Sequence, residues 1–587
     1  MNNWTDEQKT ILDASGNVLV YASAGSGKTS VMVKKIADDV INGIPVEDIL
    51  VLSYTNASAA DMRFKIVNAL YESVKDASDK DADTIRKQLD SLPFTEIGTM
   101  DSFLGRLIKE NFEFLGISPD ASQMDEGEAS EMKARAMSAV LKNEYAAARD
   151  DFLRVASHSS NIADDAPLSQ TVYDIYEAIS INPRPDEFKK LLLDSVTDNP
   201  DSLYGKVILD YYRELAEESL PFARRIKDEV NLSEAPRYAK SLDGAIDALE
   251  KISKISSVKE AETVVGLISD PGLTGHGKNK LSDEDKKLVK LVRDRAYAEV
   301  AKGLANGLFV DYDGYNVKDA REFMNVVLRL TEEFADEYGR LKLSENKLDF
   351  NDLSRYAVKL LSDEKRAESV GKKFSLVFVD EYQDINPLQE EILQRISRGN
   401  LFMVGDVKQS IYAFRNADSK IFTDKKSLFE QDESDGQALP MTRNFRSDRE
   451  LLRFFDRVFS AVMSTARGGC DYKKESLFLK DDFSDDFGGK AAFMVCENVR
   501  TDEERETKGV YSVKNHVSAL SGEEKNGYAE GLAIAAKIKE LIGSRYVKKD
   551  GSPLLYSDIA ILFKKRKSGA EGLLKALENA GIPFISC

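Results

Sequence analysis

The stretch Val18-Leu19-Val20-Tyr21-Ala22-Ser23-Ala24-Gly25-Ser26-Gly27-Lys28-Thr29 decides how the chain is read. Val18 to Tyr21 is a short apolar run suited to a buried strand, and beyond Thr29 the residues Met32, Val33, Ile36, Ala37 and Val40 recur at helical spacing. Strand, loop and helix follow one another. Ala22, Ser23, Ala24, Gly25 and Ser26 carry no side chain large enough to keep a triphosphate from the backbone N–H groups. The helix beginning after Lys28 turns its positive dipole end towards such an anion, Lys28 adds a full charge, and the Thr29 hydroxyl is suited to ligate Mg²⁺. The pattern is that of a phosphate loop with Ala22 in place of its first glycine.

Upstream, Thr5 is a candidate N-cap for a helix carrying Ile11, Leu12 and Ala14, and Gln8, one turn in, has a carboxamide able to bond both edges of an adenine. Downstream, Ile49 to Tyr54 is a second continuous apolar run suited to a parallel sheet, followed by Thr55-Asn56 and a helix predicted from Ala57 to Leu70. Ligands of open α/β sheets gather at the carboxyl ends of strands. Tyr54, Thr55, Asn56 and Arg63 therefore stand where a second ligand could pass the nucleotide. Ile97 to Phe103 repeats the arrangement, with Asp101 or Ser102 as candidate caps.

With 587 residues, 42% hydrophobic and 31% charged, the chain has room for several domains. No apolar run approaches membrane-spanning length and the start has no signal-peptide pattern, so a cytoplasmic protein without membrane contact is expected. Cys470, Cys496 and Cys587, with His158, His276 and His516, have neither disulfide-framework nor zinc-site spacing. A net charge of −19 argues against indiscriminate polyanion binding, but a local basic track with stacking residues can still hold nucleic acid.

From about Gly116 to Lys347 the texture changes to long charged helical segments, such as Glu131 to Ala147, Leu203 to Glu218 and Asp319 to Glu337. We read this region as a mostly helical insertion. The α/β texture returns at Leu376-Val377-Phe378-Val379, whose end carries Asp380-Glu381-Tyr382-Gln383-Asp384. There Asp380 is the candidate magnesium partner and Glu381 the candidate residue for positioning an attacking water. A further strand, Leu401 to Val404, runs into Gly405 to Arg415, where Gln409 is placed like a γ-phosphate sensor and Tyr412 and Phe414 like a base-stacking platform. Thr442 to Ser447 opens a helix with Leu451, Leu452, Phe455 and Val458 on its apolar face, and Arg446 is the candidate arginine for a bound triphosphate. A loop over Lys480 to Lys490, strands at Ala491 to Val495 and Asp558 to Phe563, and helices at Tyr528 to Ile542 and Ala570 to Ala580 complete the expectation.

The blocks that follow one another in this order are Thr5/Gln8, Ala22 to Thr29, Ser53 to Met62, Thr99 to Phe103, Asp349 to Leu353, Asp380 to Asp384, Gly405 to Arg415 and Asn444 to Ser447. Together they resemble the UvrD/Rep-type superfamily 1 DNA helicases, and among them the AddA group of helicase-nuclease subunits, relatives of RecB. The resemblance implies an α/β fold: a RecA-like P-loop NTPase domain with a parallel sheet over 1–115 and 348–440, the helical insertion as a DNA-riding arm over 116–347, and an incomplete second RecA-like domain over 441–587. It implies ATP and Mg²⁺, 3′ to 5′ stepping on single-stranded DNA, action on duplex ends, an AddB-like partner, and a role in double-strand break repair and recombination.

Carried over by position, Gln8 would read adenine, Ala22, Ser23, Ala24, Gly25, Ser26, Gly27 and Lys28 would hold phosphate, and Thr29 and Asp380 would hold metal. Glu381 would serve water, and Gln409 and Arg446 would sense the γ-phosphate. Thr55, Asn56, Arg63, Ser102, Tyr412 and Phe414 would line the DNA track. There are departures. Asp101 stands where the family has histidine, and Ala413 and Lys564 stand where arginine is common. Later helicase motifs and a nuclease domain do not occur before Cys587, so the expectation is a piece of a longer polypeptide or one completed by a partner. Two other readings stand beside the motor: an ATP-gated single-stranded DNA binder without translocation, and a P-loop ATPase acting on something other than DNA.

Overall fold

The computed structural model describes residues 4–159, 165–196, 203–272, 281–308, 317–431, 434–463, 470, 472, 522–544, 548, 551–563 and 570–585. The chain divides into two compact units, Met1–Arg446 with Val458–Lys480, and Ser447–Arg457 with Asp481–Cys587.

The first unit is built on a six-stranded sheet. In chain order its strands are β1 (Asn17–Ala22), β2 (Ile49–Ser53) and β3 (Glu96–Thr99), then β6 (Leu376–Val379), β7 (Leu401–Gly405) and β8 (Gly436–Met441). A separate pair, β4 (Ser122–Gln123) and β5 (Lys347–Leu348), brackets the helical region. The spatial order is β3-β2-β6-β7-β1-β8, and every neighbouring pair is parallel. All six carboxyl ends therefore lie along one edge. Parallel strands covered on both faces need apolar residues at every position, and the two-residue period divides them cleanly. Val18, Val20 and Ala22 join Ile49, Val51, Phe378 and Val404 in one core, under the helices Lys28–Ile41 and Asn56–Asp76. Leu19, Leu50, Leu52, Val377, Val379 and Met403 face the other, under Met100–Glu110, Phe350–Leu361 and Pro387–Ile396.

Between β3 and β6 the chain is helical, as the charge texture predicts, but it packs around two cores rather than one. Met132, Met137, Val140, Phe152, Val172, Phe334 and Tyr338 form the first. Leu215, Ala223, Leu242, Leu249, Val292 and Leu304 form the second, in helices that include a π-helical stretch at Arg295–Ala301. The long helix Val317–Ser344 returns the chain to the sheet. There Lys342, buried, donates to Asp349 Oδ2 at 2.9 Å and to both oxygens of Asp352 at 2.7 Å, fastening that helix to Phe350–Leu361.

In the second unit, helices Gly522–Gly543 and Ala570–Asn579 pack through Ala535, Ile538, Leu573 and Leu577. The strand expected at Asp558 to Phe563 is not formed. Tyr556–Asp558 is a single 3₁₀ turn and the following residues pair with no strand among those described, while Ile559 and Ile561 pack on the helix pair instead. The expected loop at Lys480 to Lys490 and strand at Ala491 to Val495 lie outside the described residues. No helix among the described residues is long and apolar enough to cross a membrane.

Candidate active site

The loop after β1 is held open by two glycines in the left-handed region, Gly25 at φ +70° and Gly27 at φ +91°. At Gly25 a side chain has no room, since a Cβ would come within 2.7 Å of Arg446 Cβ and 2.9 Å of Asn444 Nδ2. That close approach fixes Asn444–Arg446 over the loop. Phe445 N donates to Gly25 O at 2.8 Å, Ser23 N donates to Met441 O at 3.2 Å, and Asn444 donates from its amide to Ala24 O. Arg446 is thereby brought beside the loop with an exposed side chain. Ala22 is buried in the sheet core, which explains why a methyl serves where the usual pattern has glycine.

Thr5 caps the first helix in a capping box with Gln8, whose Oε1 accepts from Thr5 N at 3.0 Å and whose Nε2 donates to Ser26 O at 3.3 Å. Gln8 is therefore beside the phosphate loop, with its carbonyl and one N–H already engaged. Glu7, which sequence reasoning passed over, accepts from Thr442 N at 2.9 Å and from its hydroxyl at 2.8 Å, tying this helix to the segment that carries Arg446.

Lys28 opens its helix with Nζ buried and without a hydrogen-bond partner, 3.7 Å from Glu381 Oε2. Ser23 Oγ and Ser53 Oγ, on the same edge, are likewise buried and unpaired. Orphaned polar atoms of this kind are rare in a protein interior, and a buried ammonium above glycine-lined N–H groups fits a triphosphate. Glu381 sits at φ +53°, a strained conformation for a non-glycine residue that turns the chain sharply at the end of β6. Burial, reinforced by Glu381 and opposed by Lys28, pushes Asp380 up to about 6. Two adjacent carboxylates under that strain fit a cation. No cluster of three or more acidic, histidine or cysteine side chains among the described residues could hold a metal ion alone; Thr29 and Asp380 are the residues that would help hold a magnesium ion.

Gln383, fully buried, connects this site to its neighbour. Its Nε2 donates to Glu381 Oε2 at 2.9 Å and to Asp384 Oδ2 at 3.0 Å, and its Oε1 accepts from Asp406 N at 2.9 Å. Asp406 in turn accepts from Gln409 Nε2 at 2.7 Å. Lys28, Glu381, Gln383, Asp406 and Gln409 thus form one continuous polar run. Gln383 O accepts from Ser410 Oγ at 3.3 Å, at the root of the segment bearing Tyr412 and Phe414.

Tyr412 lies 4.2 Å, ring to ring, from Tyr54 and 5.8 Å from Phe414, and Phe414 is 77% exposed. Of the two aromatics expected to stack, Phe414 is thus a surface ring and Tyr412 is half-buried, and the half-buried Tyr54 is the third ring of the group. Thr55 caps helix Asn56–Asp76 by accepting from Ser58 N at 3.0 Å, and both Thr55 and Asn56 are exposed beside it. Ser102 is held by Thr99, whose Oγ1 accepts from Ser102 N at 3.2 Å. Arg63 is a correction. Its guanidinium donates to the carbonyls of Leu92, Thr95 and Ile97 at 2.8 to 3.2 Å, so its charge is spent on fixing the loop before β3. Gln383 and Asn444 fell within quoted motifs, but nothing in their letters separates a buried connector from a surface amide.

A parallel α/β sheet of RecA-like kind, with a phosphate loop after its first strand and carboxylates at the end of β6, defines the class as a P-loop NTPase fold. The chain belongs to the UvrD/REP helicase family: residues 4–430 match the UvrD/REP helicase N-terminal domain. It is 30% identical over 626 residues to AddA, an ATP-dependent helicase/nuclease subunit of Listeria monocytogenes, covering 99% of this chain and 49% of that protein. The protein of the same description in Alkaliphilus metalliredigens is 28% identical over 609 residues, covering 99% and 49%, and that in Clostridium botulinum is 28% identical over 635 residues, covering 99% and 50%. The chain spans about half the length of these curated relatives.

Proposed function

We propose that this chain is the motor portion of an AddA-type, ATP-dependent DNA helicase. In this reading Lys28 and the Ala22–Thr29 loop grip the phosphates, Arg446 and Gln409 answer to the γ-phosphate, and Gln8 contacts the base. Thr29 and Asp380 would hold Mg²⁺, which when bound would supply positive charge to the phosphates. Glu381, adjacent to it, orients the attacking water. Thr55, Asn56, Ser102, Tyr412 and Phe414, joined by Tyr54, form the track for single-stranded DNA. The observation that carries the reading is the unbroken polar run from Lys28 to Gln409, with its branch at Ser410 towards the aromatic platform.

The finer reading rests on the family likeness. It comprises 3′ to 5′ stepping, entry at duplex ends, a cytoplasmic role in double-strand break repair and recombination, and a second subunit of the AddB kind. So does the division into motor segments 1–115 and 348–440, arm 116–347 and a second motor portion from 441.

The test is ATP hydrolysis by the 587-residue chain with and without single-stranded DNA, with Lys28→Ala as control. The motor reading expects DNA to raise the rate at least tenfold and Lys28→Ala to abolish it. Tight DNA binding with no turnover supports an ATP-gated binder instead, and hydrolysis indifferent to DNA supports an ATPase with another substrate.

A further inference from the structure

Glu381 lies in the left-handed region, at φ +53°, and a non-glycine residue keeps such a conformation only where its surroundings over-determine it. On the entry side of the turn Asp380 N donates to Leu52 O at 2.9 Å and Glu381 N to Asp380 Oδ1 at 3.1 Å. Across it, Asp384 N donates to Glu381 O at 2.9 Å. The exit side is Tyr382, fully buried in the core that also holds Val379, Ile392 and Phe422.

The Tyr382 hydroxyl donates to Glu390 Oε2 at 2.5 Å, on helix Pro387–Ile396. Its ring centre lies 6.2 Å from that of Phe422, on helix Ser419–Phe429. Glu390 is itself fixed. Its Oε1 accepts from Gln394 Nε2 at 2.5 Å and lies 2.6 Å from Lys425 Nζ, on the second of these helices. The Glu390 and Lys425 side chains are only 15% and 10% exposed. A phenylalanine at 382 would fill the same apolar space, so what the hydroxyl adds is a charge-assisted bond to an acceptor anchored in two helices.

We propose that Tyr382 is a positioning residue: its bond to the Lys425-paired Glu390 holds the turn in the left-handed conformation and so fixes the Glu381 carboxylate, 3.7 Å from Lys28 Nζ. The inference rests on the reading of Glu381 as the residue that orients the attacking water. Without the bond the turn can relax and carry Glu381 away from its place, and chemistry that depends on orientation is sensitive to such a shift. The phosphate grip is held by other contacts, at Gly25, Ser26 and Asn444, and stays as it is.

The experiment compares ATP hydrolysis by the whole chain at saturating oligo-dT with amide hydrogen exchange of the nucleotide-free chain. Tyr382→Phe should lower kcat about 10-fold and leave the KM for ATP within roughly twofold. Exchange in a peptide spanning Asp380–Asp384 should rise at least about fivefold, with β1 and β2 unchanged. The pair Glu390→Leu with Lys425→Met removes the acceptor without leaving a buried charge, and should reproduce both effects. Adding Tyr382→Phe to that pair should bring no further loss. A lower melting temperature with kcat and exchange at the turn unchanged overturns the inference and leaves the motor reading in place, as does a further loss in the triple variant. Failure of the wild-type chain to hydrolyse ATP overturns the reading of Glu381 and the inference with it.

Discussion

At the residue scale, Asp380 carries a cost before any ligand arrives. In the unfolded chain it titrates near 3.9, in the folded chain near 6, so between those values the folded state holds the extra proton. Stability from this group therefore falls as pH rises through that window, by about 3 kcal/mol once it is fully ionised. Asp380→Asn should raise the unfolding free energy of the ligand-free chain by up to ~3 kcal/mol at pH 7.5 and by little at pH 4, read from denaturant curves at the two pH values. An equal effect at both would show that burial of the charge is not the cause. The same variant should lose magnesium-dependent hydrolysis, the usual exchange of stability for function at a strained site. Lys28, Glu381 and Gln409 could be placed from sequence because each follows the end of a strand. Arg63 could not, since a guanidinium that satisfies three backbone carbonyls has the same letter as one that faces phosphate.

At the scale of elements, the continuous apolar strands were legible because a parallel sheet buried on both faces leaves no alternative pattern. The helical region was legible as helix but not as two cores, because periodicity reports which face of a helix is buried and not against which partner. The Asp558 to Phe563 segment failed for a related reason: Ile559 and Ile561 alternate as a strand would, yet their apolar partners are helices. The junction between the returning helix Val317–Ser344 and Phe350–Leu361 depends on Lys342, which also lies 4.3 Å from the Tyr338 ring centre. Lys342→Met should leave Asp349 and Asp352 as uncompensated buried charges and lower stability by roughly 3–5 kcal/mol. Adding Asp349→Asn and Asp352→Asn should recover much of it in thermal unfolding. Failure of the triple variant to recover would show that Lys342 acts through packing rather than charge.

At the scale of the whole molecule, the six strand ends gather two features along one edge, the phosphate loop after β1 and an aromatic group following β2 and β7 in which Phe414 is exposed and Tyr54 and Tyr412 are half-buried. Gln383 stands between them, its carboxamide bonded to Glu381, Asp384 and Asp406 and its backbone carbonyl to Ser410, and we expect a shift of Glu381 on nucleotide binding to be passed along it to Ser410 and the rings beyond. Coupling between two sites is reciprocal in free energy and does not require turnover. The most direct measurement is therefore the dissociation constant of single-stranded DNA for the 587-residue chain, with and without a non-hydrolysable ATP analogue and Mg²⁺. We predict a change of at least about fivefold, or roughly 1 kcal/mol, that is lost in Gln383→Leu. Equal affinities in the two conditions, with both ligands bound, would contradict the account.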